Sequence, residues 1–340
     1  MKILLISRGF NKHGWDLQVR GGISGAVCKR ARSPSAYKKI NHKNKKLFYL
    51  CEKMKSIEEV KKFSNKQFEM KTWSSAIASI PKILTPIYAF AFIKPWILLH
   101  FLPISELRKK KNLLILDFGC GAGNETKILS NYFPRSRIIG IDISDIGIKQ
   151  AHGKFSDLNF LIGDCQCLSL KSERFDLIYS TDVFGHIPNL KLAIQEFSGI
   201  FKKGGRGIIF TETNGTTSFR KKVIDILGED PWVGLDGHIS LYPNEEIRQM
   251  LSEAGLKIID YKYHPEIRIP MGWDSRLDNR YPQLRNHFKF ERKIGKIINY
   301  LRSLLLLKYI VPFVSGLIVH ILLHFQKRDV GGMYIYVEKI

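Results

Sequence analysis

The stretch Leu113–Thr126, LLILDFGCGAGNET, limits the folds open to this chain more than any other part of the sequence. It opens with four apolar residues in a row, which is typical of a central strand in a parallel sheet, because both faces of such a strand are covered. Asp117 closes the predicted strand, and Gly119, Gly121 and Gly123 follow. These glycines allow the backbone to turn sharply and a ligand to approach closely. The sequence therefore predicts a strand, a glycine-rich turn and a helix whose first N–H groups face a ligand above the sheet.

The spacing of the glycines does not fit a dinucleotide-binding turn. That fingerprint has the form G-x-G-x-x-G. The third glycine is missing in both registers, because Asn124 or Thr126 stands in its place. An acid two residues before Gly119 would repel a pyrophosphate, but it suits a ligand that carries positive charge.

Three further predicted strands end in polar residues. Residues 137–141 lead into Asp142, residues 159–162 into Gly163 and Asp164, and residues 175–180 into Thr181. An acid at the tip of the second strand, about 20 residues beyond a glycine turn, is where a ribose diol is held in related folds.

The motif D-x-G-C-G-x-G, followed in order by these strand ends, resembles class I S-adenosylmethionine-dependent methyltransferases over roughly residues 113–263 and the last strand. The resemblance implies S-adenosyl-L-methionine as the cofactor, with a sulfonium and an amino group and no phosphate. Asp164 would then reach the adenine amino group, and the segment from Thr181 would lie beneath the methionine end. The implied cofactor-binding residues are Asp117, Gly119, Cys120, Gly121, Gly123, Asp142, Ile143, Asp164, Cys165 and Thr181.

The resemblance also implies an α/β fold, a doubly wound Rossmann-like sheet of seven strands with an antiparallel last strand. Strand five is predicted at residues 207–212, after a helix closed by Lys202–Arg206, and strand six at residues 256–263, after a helix with Asn244 as its N-cap. The candidate for strand seven is residues 333–337. We predict four segments: a basic helical N-terminal extension (1–112), the cofactor-binding core (113–264), an apolar helical insertion (265–331) and the last strand of the core (332–340).

Charge and apolar runs suggest partners outside the core. The net charge is +23, and the first 112 residues hold 24 Lys and Arg against 6 Asp and Glu. Such an excess favours a membrane surface or nucleic acid, or is simply a solvated tail. Residues 77–103 are apolar but contain four prolines, which permit only short helical pieces. The five cysteines form no disulfide pattern, which favours a cytoplasmic setting, with the membrane surface as a further option.

Residues 303–325 taken alone resemble a transmembrane helix. A single crossing here would place strand seven on the far side of the bilayer from its sheet. We therefore expect an in-plane or re-entrant membrane helix, or a hydrophobic lid. Peripheral membrane contact is expected through residues 77–103 and 303–325.

Methyl transfer from a sulfonium is an in-line displacement, in which the protein mainly aligns and desolvates the reactants. For a protonated oxygen or nitrogen nucleophile, the candidate bases are His238 and His186, and Glu212 and Tyr242 are weaker candidates. His186 also suits a packing role. No metal site is expected, since Cys165 and Cys167 are too close together for a zinc pair.

The acceptor is the least constrained part of the prediction. Residues 180–183, Ser-Thr-Asp-Val, lack the [ND]-P-P-[YFW] signature of enzymes that methylate amino groups of nucleic-acid bases, and no cysteine is placed as the nucleophile of a C5 enzyme. We predict methyl transfer to an oxygen or carbon of a small, hydrophobic or membrane-borne acceptor. An RNA methyltransferase and a non-enzymatic cofactor-binding protein at the membrane are the alternatives.

Overall fold

The structure is a computed structural model. It describes residues 56–69, 94, 98–99, 105–168, 170, 172–265, 275–304, 310, 314, 317–318 and 321–340. Residues 1–55 and most of 77–103 therefore lie outside the described residues, as does part of 303–325. The strands are β1 Leu114–Phe118, β2 Arg137–Asp142, β3 Asn159–Ile162, β4 Phe175–Thr181, β5 Phe201–Glu212, β6 Leu256–Tyr263 and β7 Gly332–Lys339.

Helices flank these strands along the described part of the chain. They are α1 Ile57–Glu69, α2 Ser105–Lys109, α3 Asn124–Tyr132, α4 Asp145–Lys154, α5 Leu190–Gly199, α6 Ser218–Leu227, α7 Asn244–Glu253, α8 Ser275–Arg280, α9 Leu284–His287 and α10 Lys289–Ser303. A short 3-10 turn, Phe184–His186, follows β4, and a π-turn, Val233–Gly237, precedes His238.

The seven strands form one sheet in the order β3-β2-β1-β4-β5-β7-β6. Strands β1 to β5 are parallel to one another, and β7 runs antiparallel to both β5 and β6. This confirms the doubly wound fold with an antiparallel last strand that the sequence predicts. After β1 the chain adds strands on one side of β1, and from β4 onward on the other, so the strand order reverses there.

The alternation of side chains along the strands divides the core into two layers. One layer contains Leu116, Ile178 and Ile209, and the other contains the residues directly before them, Ile115, Leu177 and Ile208. Helices α5 and α7 cover the first layer. Helix α3 covers the second, together with Leu98 and Leu99, so a part of the N-terminal extension belongs to the core packing.

Two local predictions are wrong. Lys202–Arg206 does not close a helix: α5 ends at Gly199, and Phe201 already pairs with Phe175 at the irregular start of β5. Asn244 is the first residue of α7 rather than its cap, which is Pro243.

The insertion returns to the sheet beside the point where it left. His264 N donates a hydrogen bond to Gly332 O at 2.8 Å, which joins the two ends of residues 265–331. Within it, α8, α9 and the start of α10 pack against α6 through Leu277, Leu284 and Phe288. None of the helices in the described part of the chain has the length and the hydropathy that crossing a bilayer requires.

Candidate cofactor and acceptor site

A cavity of about 610 Å³ lies at the carboxyl ends of the parallel strands, where the strand order reverses. This is the position at which open α/β sheets bind ligands. Of the twelve residues that the sequence predicts for the site, eleven line the cavity: Asp117, Gly119, Cys120, Gly121, Asp142, Ile143, Asp164, Cys165, Thr181, His186 and His238. Gly123 does not. The contact of each residue with a cofactor or acceptor stays a prediction, but the structure places these eleven residues around one cavity.

The glycine turn after β1 requires glycine for three different reasons. Gly119 has φ +83°, and a Cβ there would lie 2.1 Å from Cγ2 of Val183. Gly121 has φ +51°, and a Cβ there would lie 2.9 Å from Cζ of Phe68. Its N–H donates to Oδ2 of Asp142 at 2.9 Å. Gly123 caps α3 with φ +77°, and a Cβ there would meet the ring of Phe160. Gly123 therefore serves the packing behind the turn rather than the wall of the cavity.

Acids hold the loops that form the cavity. Asp142 accepts N–H groups from Gly121 and, at 2.8 Å, from Ser144, so one carboxylate fixes the glycine turn and the start of α4. Burial nevertheless raises the pKa of Asp142. Asp117 accepts a 2.5 Å hydrogen bond from Thr126 Oγ1, and burial raises its pKa to about 8. A cationic ligand close to Asp117 would favour the carboxylate and bring this pKa down.

The lining of the cavity is acidic. Seven carboxyl groups line it: Asp117, Glu125, Asp142, Asp164, Asp182, Glu212 and Asp236. Among the described lining residues Lys94 is the only Lys or Arg. This balance suits a ligand that carries positive charge and disfavours a phosphate-bearing one.

The cavity lining includes two neighbouring imidazoles and a carboxylate. His238 Nε2 lies 3.4 Å from Glu212 Oε1, and the rings of His238 and His186 are 4.7 Å apart. Although burial alone would lower it, the pKa of His238 is raised, because Glu212 stabilises the imidazolium. Burial and the neighbouring His238 lower the pKa of His186 to about 4. The Nδ1–H of His186 donates to Gly237 O at 3.1 Å, so its Nε2 carries the lone pair.

The same three side chains fit together as possible metal ligands. One ligand atom each from His186, Glu212 and His238 lies within 4.8 Å of the other two. Within the described part of the chain, Glu212 Oε2 and His238 Nδ1 are buried and have no hydrogen-bond partner. The Glu212–His238 ion pair already accounts for the proximity of two of the three groups.

Sequence reasoning missed several residues of the cavity. Lys94 bonds to both carboxylate oxygens of Asp182 and lies 4.4 Å from the centre of the Phe210 ring. Glu125 accepts hydrogen bonds from the hydroxyls of Tyr179 at 2.5 Å and Thr181 at 2.6 Å. Glu125 carried a usable signal, since it stands in the first turn of the helix after the glycine turn. Lys94 stands in an apolar run, and nothing in its neighbourhood of the sequence indicates the contact.

Helix α1 covers the cavity from outside the sheet. Its residues Val60, Ser64 and Phe68 line the cavity, and the Phe68 ring lies against both Gly121 and Gly147. At the start of α4, Asn65 Nδ2 donates a 2.7 Å hydrogen bond to Asp145 Oδ1, and Asn65 Oδ1 accepts one of 2.7 Å from Ser144 Oγ. In the sequence, the spacing of Val60, Phe63 and Phe68 predicts a helix at residues 57–68 but gives no indication of its position over the cavity.

Fold and cavity together define an α/β protein of the S-adenosylmethionine-binding type. The chain matches the family model described as a methyltransferase domain over residues 88–261, about half of its length, and it belongs to that family. This confirms the resemblance to class I S-adenosylmethionine-dependent methyltransferases that the sequence motifs indicate. S-adenosyl-L-methionine is the methyl donor of this class.

Three curated relatives are similar to the chain. A trans-aconitate 2-methyltransferase of Variovorax paradoxus is 25% identical over 35% of this chain and 46% of its own length. A sterol 24-C-methyltransferase of Kluyveromyces lactis is 25% identical over 57% of this chain and 52% of its own. A ubiquinone biosynthesis O-methyltransferase of Coxiella burnetii is 24% identical over 55% of this chain and 74% of its own. The chain thus spans about half the length of the first two.

Proposed function

We propose that this protein transfers a methyl group from S-adenosyl-L-methionine to an oxygen or carbon of a small, hydrophobic acceptor bound in the cavity. One observation carries the proposal: a single acidic cavity joins the glycine turn, the acids at the ends of β2 and β3, and the His186–Glu212–His238 cluster. The first group suits the cofactor, and the cluster suits the acceptor. The cofactor supplies the leaving group, and the chain supplies alignment and exclusion of water.

The proposed cofactor contacts follow from the charges and donors of the cavity wall. Asp142 would hold the ribose hydroxyls, and Asp164, with Cys165 beside it, would receive the adenine amino group. The carboxylates nearest the glycine turn, Asp117 and Glu125, suit the sulfonium and ammonium of the methionine part. Burial of that part would strengthen each of these contacts, because the dielectric of the cavity is low.

For a hydroxyl acceptor we propose His238 as the base, with His186 as the second candidate. Glu212 lies 3.4 Å from His238 and would stabilise the imidazolium that forms when the proton moves. His186, whose pKa is lowered to about 4, stays neutral at physiological pH and would orient the acceptor through its Nε2. Transfer to carbon would use the same cavity and the same cofactor contacts.

The proposed acceptor class is supported by the apolar segments and by two of the relatives. The names of the sterol and ubiquinone enzymes specify apolar acceptors, whereas that of the trans-aconitate enzyme specifies a polar one. We propose that residues 77–103 and 303–325 contact a membrane from its cytoplasmic side and give such an acceptor a path to the cavity. A small polar acceptor is the second candidate, and RNA is less favoured because seven carboxyl groups line the cavity.

We also propose that residues 113–264 and 332–340 form one catalytic unit. Residues 1–112 would precede it as a basic N-terminal extension, and residues 265–331 would interrupt it. Support comes from the pairing of β7 between β5 and β6, which makes the last strand part of the sheet that bears the cavity.

A transfer assay tests the proposal directly. The full chain is incubated with radiolabelled S-adenosylmethionine and with separated lipid, RNA and polar small-molecule extracts of the source cell. We expect label in the lipid extract, and loss of that label in Asp142→Ala, because this variant lacks both the proposed ribose acceptor and the anchor of the glycine turn. Asp157→Ala is the matched control, since Asp157 is an exposed acid that pairs with Lys127 outside the cavity.

Each other outcome of this assay overturns a stated part of the proposal. Label in RNA would replace the lipid acceptor by the RNA alternative, and label in the polar extract would favour the second candidate. Binding of S-adenosylhomocysteine in calorimetry without transfer to any extract would favour the non-enzymatic alternative. Equal label with Asp142→Ala and Asp157→Ala would remove Asp142 from the cofactor site.

A further inference from the structure

We propose that the outward face of helix α10 docks onto an anionic phospholipid bilayer. This inference rests on the proposed function, in which residues 77–103 and 303–325 contact a membrane. It adds an element that the sequence analysis did not single out and the class of lipid that this element recognises.

Helix α10 presents large apolar side chains to solvent along one side. Phe290 is 71% exposed, Ile297 49% and Tyr300 65%, and Leu304, directly after the helix, is 38% exposed. At 100° per residue these four positions fall within a quarter of the helix circumference. Side chains of this size are normally buried, and a contiguous exposed group of them marks an interaction surface.

The buried side of α10 shows that this apolar face is not a misplaced core face. Phe288, directly before the helix, is fully buried and packs with Val223 of α6 and Leu284 of α9. Gly295, two turns further along the helix, is buried as well. Arg292 is held on Asp278 of α8 at 2.7 Å. The helix therefore already has a packed side and an ion pair that fix its orientation, and the apolar face points away from both.

The charges next to the apolar face are positive. Lys289, Lys293 and Lys296 are exposed on the same helix, whereas its one acid, Glu291, is only half-exposed. Lysines beside an apolar face place their ammonium groups at the level of lipid phosphates while the apolar side chains enter the acyl boundary. Each basic residue near an anionic surface strengthens binding to it.

Further exposed apolar side chains follow the helix along the chain. Of thirteen exposed large apolar residues among those described, ten lie between Phe290 and Phe325. The six beyond α10 and Leu304 are Ile310, Val314, Leu317, Ile318, Ile321 and Phe325. A membrane fits this composition better than a second copy of the chain, because lysine is depleted from protein–protein interfaces whereas anionic lipid attracts it.

The position of this surface relative to the cavity gives docking a consequence. His264 and Gly331, which flank the insertion, both line the cavity. An insertion seated on a bilayer would hold the cavity rim near the lipid, where a membrane-borne acceptor is found.

Sedimentation with lipid vesicles tests the inference. The full chain is mixed with vesicles of phosphatidylcholine alone and of phosphatidylcholine with phosphatidylglycerol. We expect binding to the anionic vesicles that weakens as salt is raised. The double variant Phe290→Asp/Ile297→Asp should bind at least tenfold more weakly, and Lys293→Glu/Lys296→Glu should lose the preference for anionic vesicles. Ile340→Asp is the matched control, since Ile340 is 70% exposed outside this surface.

Several outcomes would overturn the inference. They are no binding of the wild-type chain to either vesicle, equal binding by Phe290→Asp/Ile297→Asp and Ile340→Asp, or a wild-type dimer that the double variant converts to monomer. Binding of S-adenosylhomocysteine, measured in parallel on every variant, reports folding. It also separates the two proposals, because failure to dock with cofactor binding intact removes only this inference, whereas loss of cofactor binding in the wild type removes the proposed function.

Discussion

At Gly119 the chain leaves no room for any side chain, which makes this residue a sensitive probe of the cofactor turn. Gly119→Ala combines a left-handed backbone with a Cβ 2.1 Å from Val183. We expect a loss of about 1–3 kcal/mol in the free energy of unfolding and weaker binding of S-adenosylhomocysteine. Urea denaturation and calorimetry measure the two effects.

Gly153→Ala is the control for this prediction. Gly153 lies in α4, and a Cβ there meets nothing within 4 Å. In a helix, alanine is favoured over glycine by about 1 kcal/mol, so this variant should be as stable as the wild type or more stable. Equal losses in the two variants would mean that the fit of Gly119 against Val183 does not limit the turn.

Glu212 offers a second test at the level of single residues, because it raises the pKa of His238. If His238 acts as base, the rate rises with pH as His238 loses its proton. In Glu212→Gln the pKa of His238 should fall, so the rising limb of kcat/KM should move to lower pH while its maximum drops by about tenfold to a thousandfold. Glu253→Gln, a change at an exposed acid on α7, should leave the profile in place. An unmoved limb in Glu212→Gln would separate Glu212 from the proton transfer.

The site could be predicted from sequence where one short motif carries it. The glycine turn, Asp142 and Asp164 are each defined by a strand end and its next residues, so local pattern was sufficient to locate them. Lys94 and Asp182 meet only after folding, and their contact joins residues 88 positions apart. His238 was predicted as a candidate base. Its position beside His186 follows a π-turn that no local sequence pattern indicates.

At the scale of elements, the junction of β6 and β7 contains a histidine that should make folding sensitive to acid. A 2.7 Å hydrogen bond joins His264 Nδ1, directly after β6, to the Tyr334 hydroxyl in β7. Burial, with the charge of Lys94 nearby, lowers the pKa of His264 to about 3. Below pH 6.5 the unfolded chain binds a proton at this residue and the folded chain does not, so stability falls as the pH falls from 6.5 toward 3.

Replacing this histidine isolates its contribution. Between pH 6.5 and 4, His264→Gln should lose less stability than the wild type, by up to about 1.4 kcal/mol for each pH unit. Urea unfolding of both proteins at a series of pH values gives the comparison, and a constant offset at pH 7 does not affect it. His186 contributes to the same range in both proteins and cancels. Parallel curves for the two proteins would show that His264 titrates normally in the folded state.

The elements were predicted well where periodicity is long, and less well at their ends. Strands β3 and β6 have the predicted limits, and β2 is one residue longer than predicted, because their apolar patterns are bounded by charged or turn residues. The error at Lys202–Arg206 has a definite cause. Cations and glycines after a helix are typical of a helix end, but here Phe201 pairs with Phe175, a contact between distant residues that sequence pattern does not contain.

At the scale of the whole molecule, topology was predictable and placement was not. The resemblance carried by the glycine turn and the strand ends implied the doubly wound sheet. The need for β7 to return to this sheet already argued against a single crossing by residues 303–325. The position of α1 over the cavity could not be predicted, because its contacts at Gly121, Gly147 and Ser144 lie about 50 to 80 residues further along the chain. Charge alone also could not separate lipid from nucleic acid. That choice rests on the exposed apolar side chains of α10.

The place of β7 between β5 and β6 determines the order in which the sheet can be completed during synthesis at the ribosome. All of the parallel strands and β6 emerge first, and the long insertion follows while one edge of β5 and both edges of β6 are still without partners. Open strand edges are templates for aggregation. Each nascent chain thus passes through an interval in which its incomplete sheet is prone to aggregation and is a substrate for chaperones. The interval ends when Gly332–Lys339 is released from the exit tunnel and β7 pairs with β5 and β6.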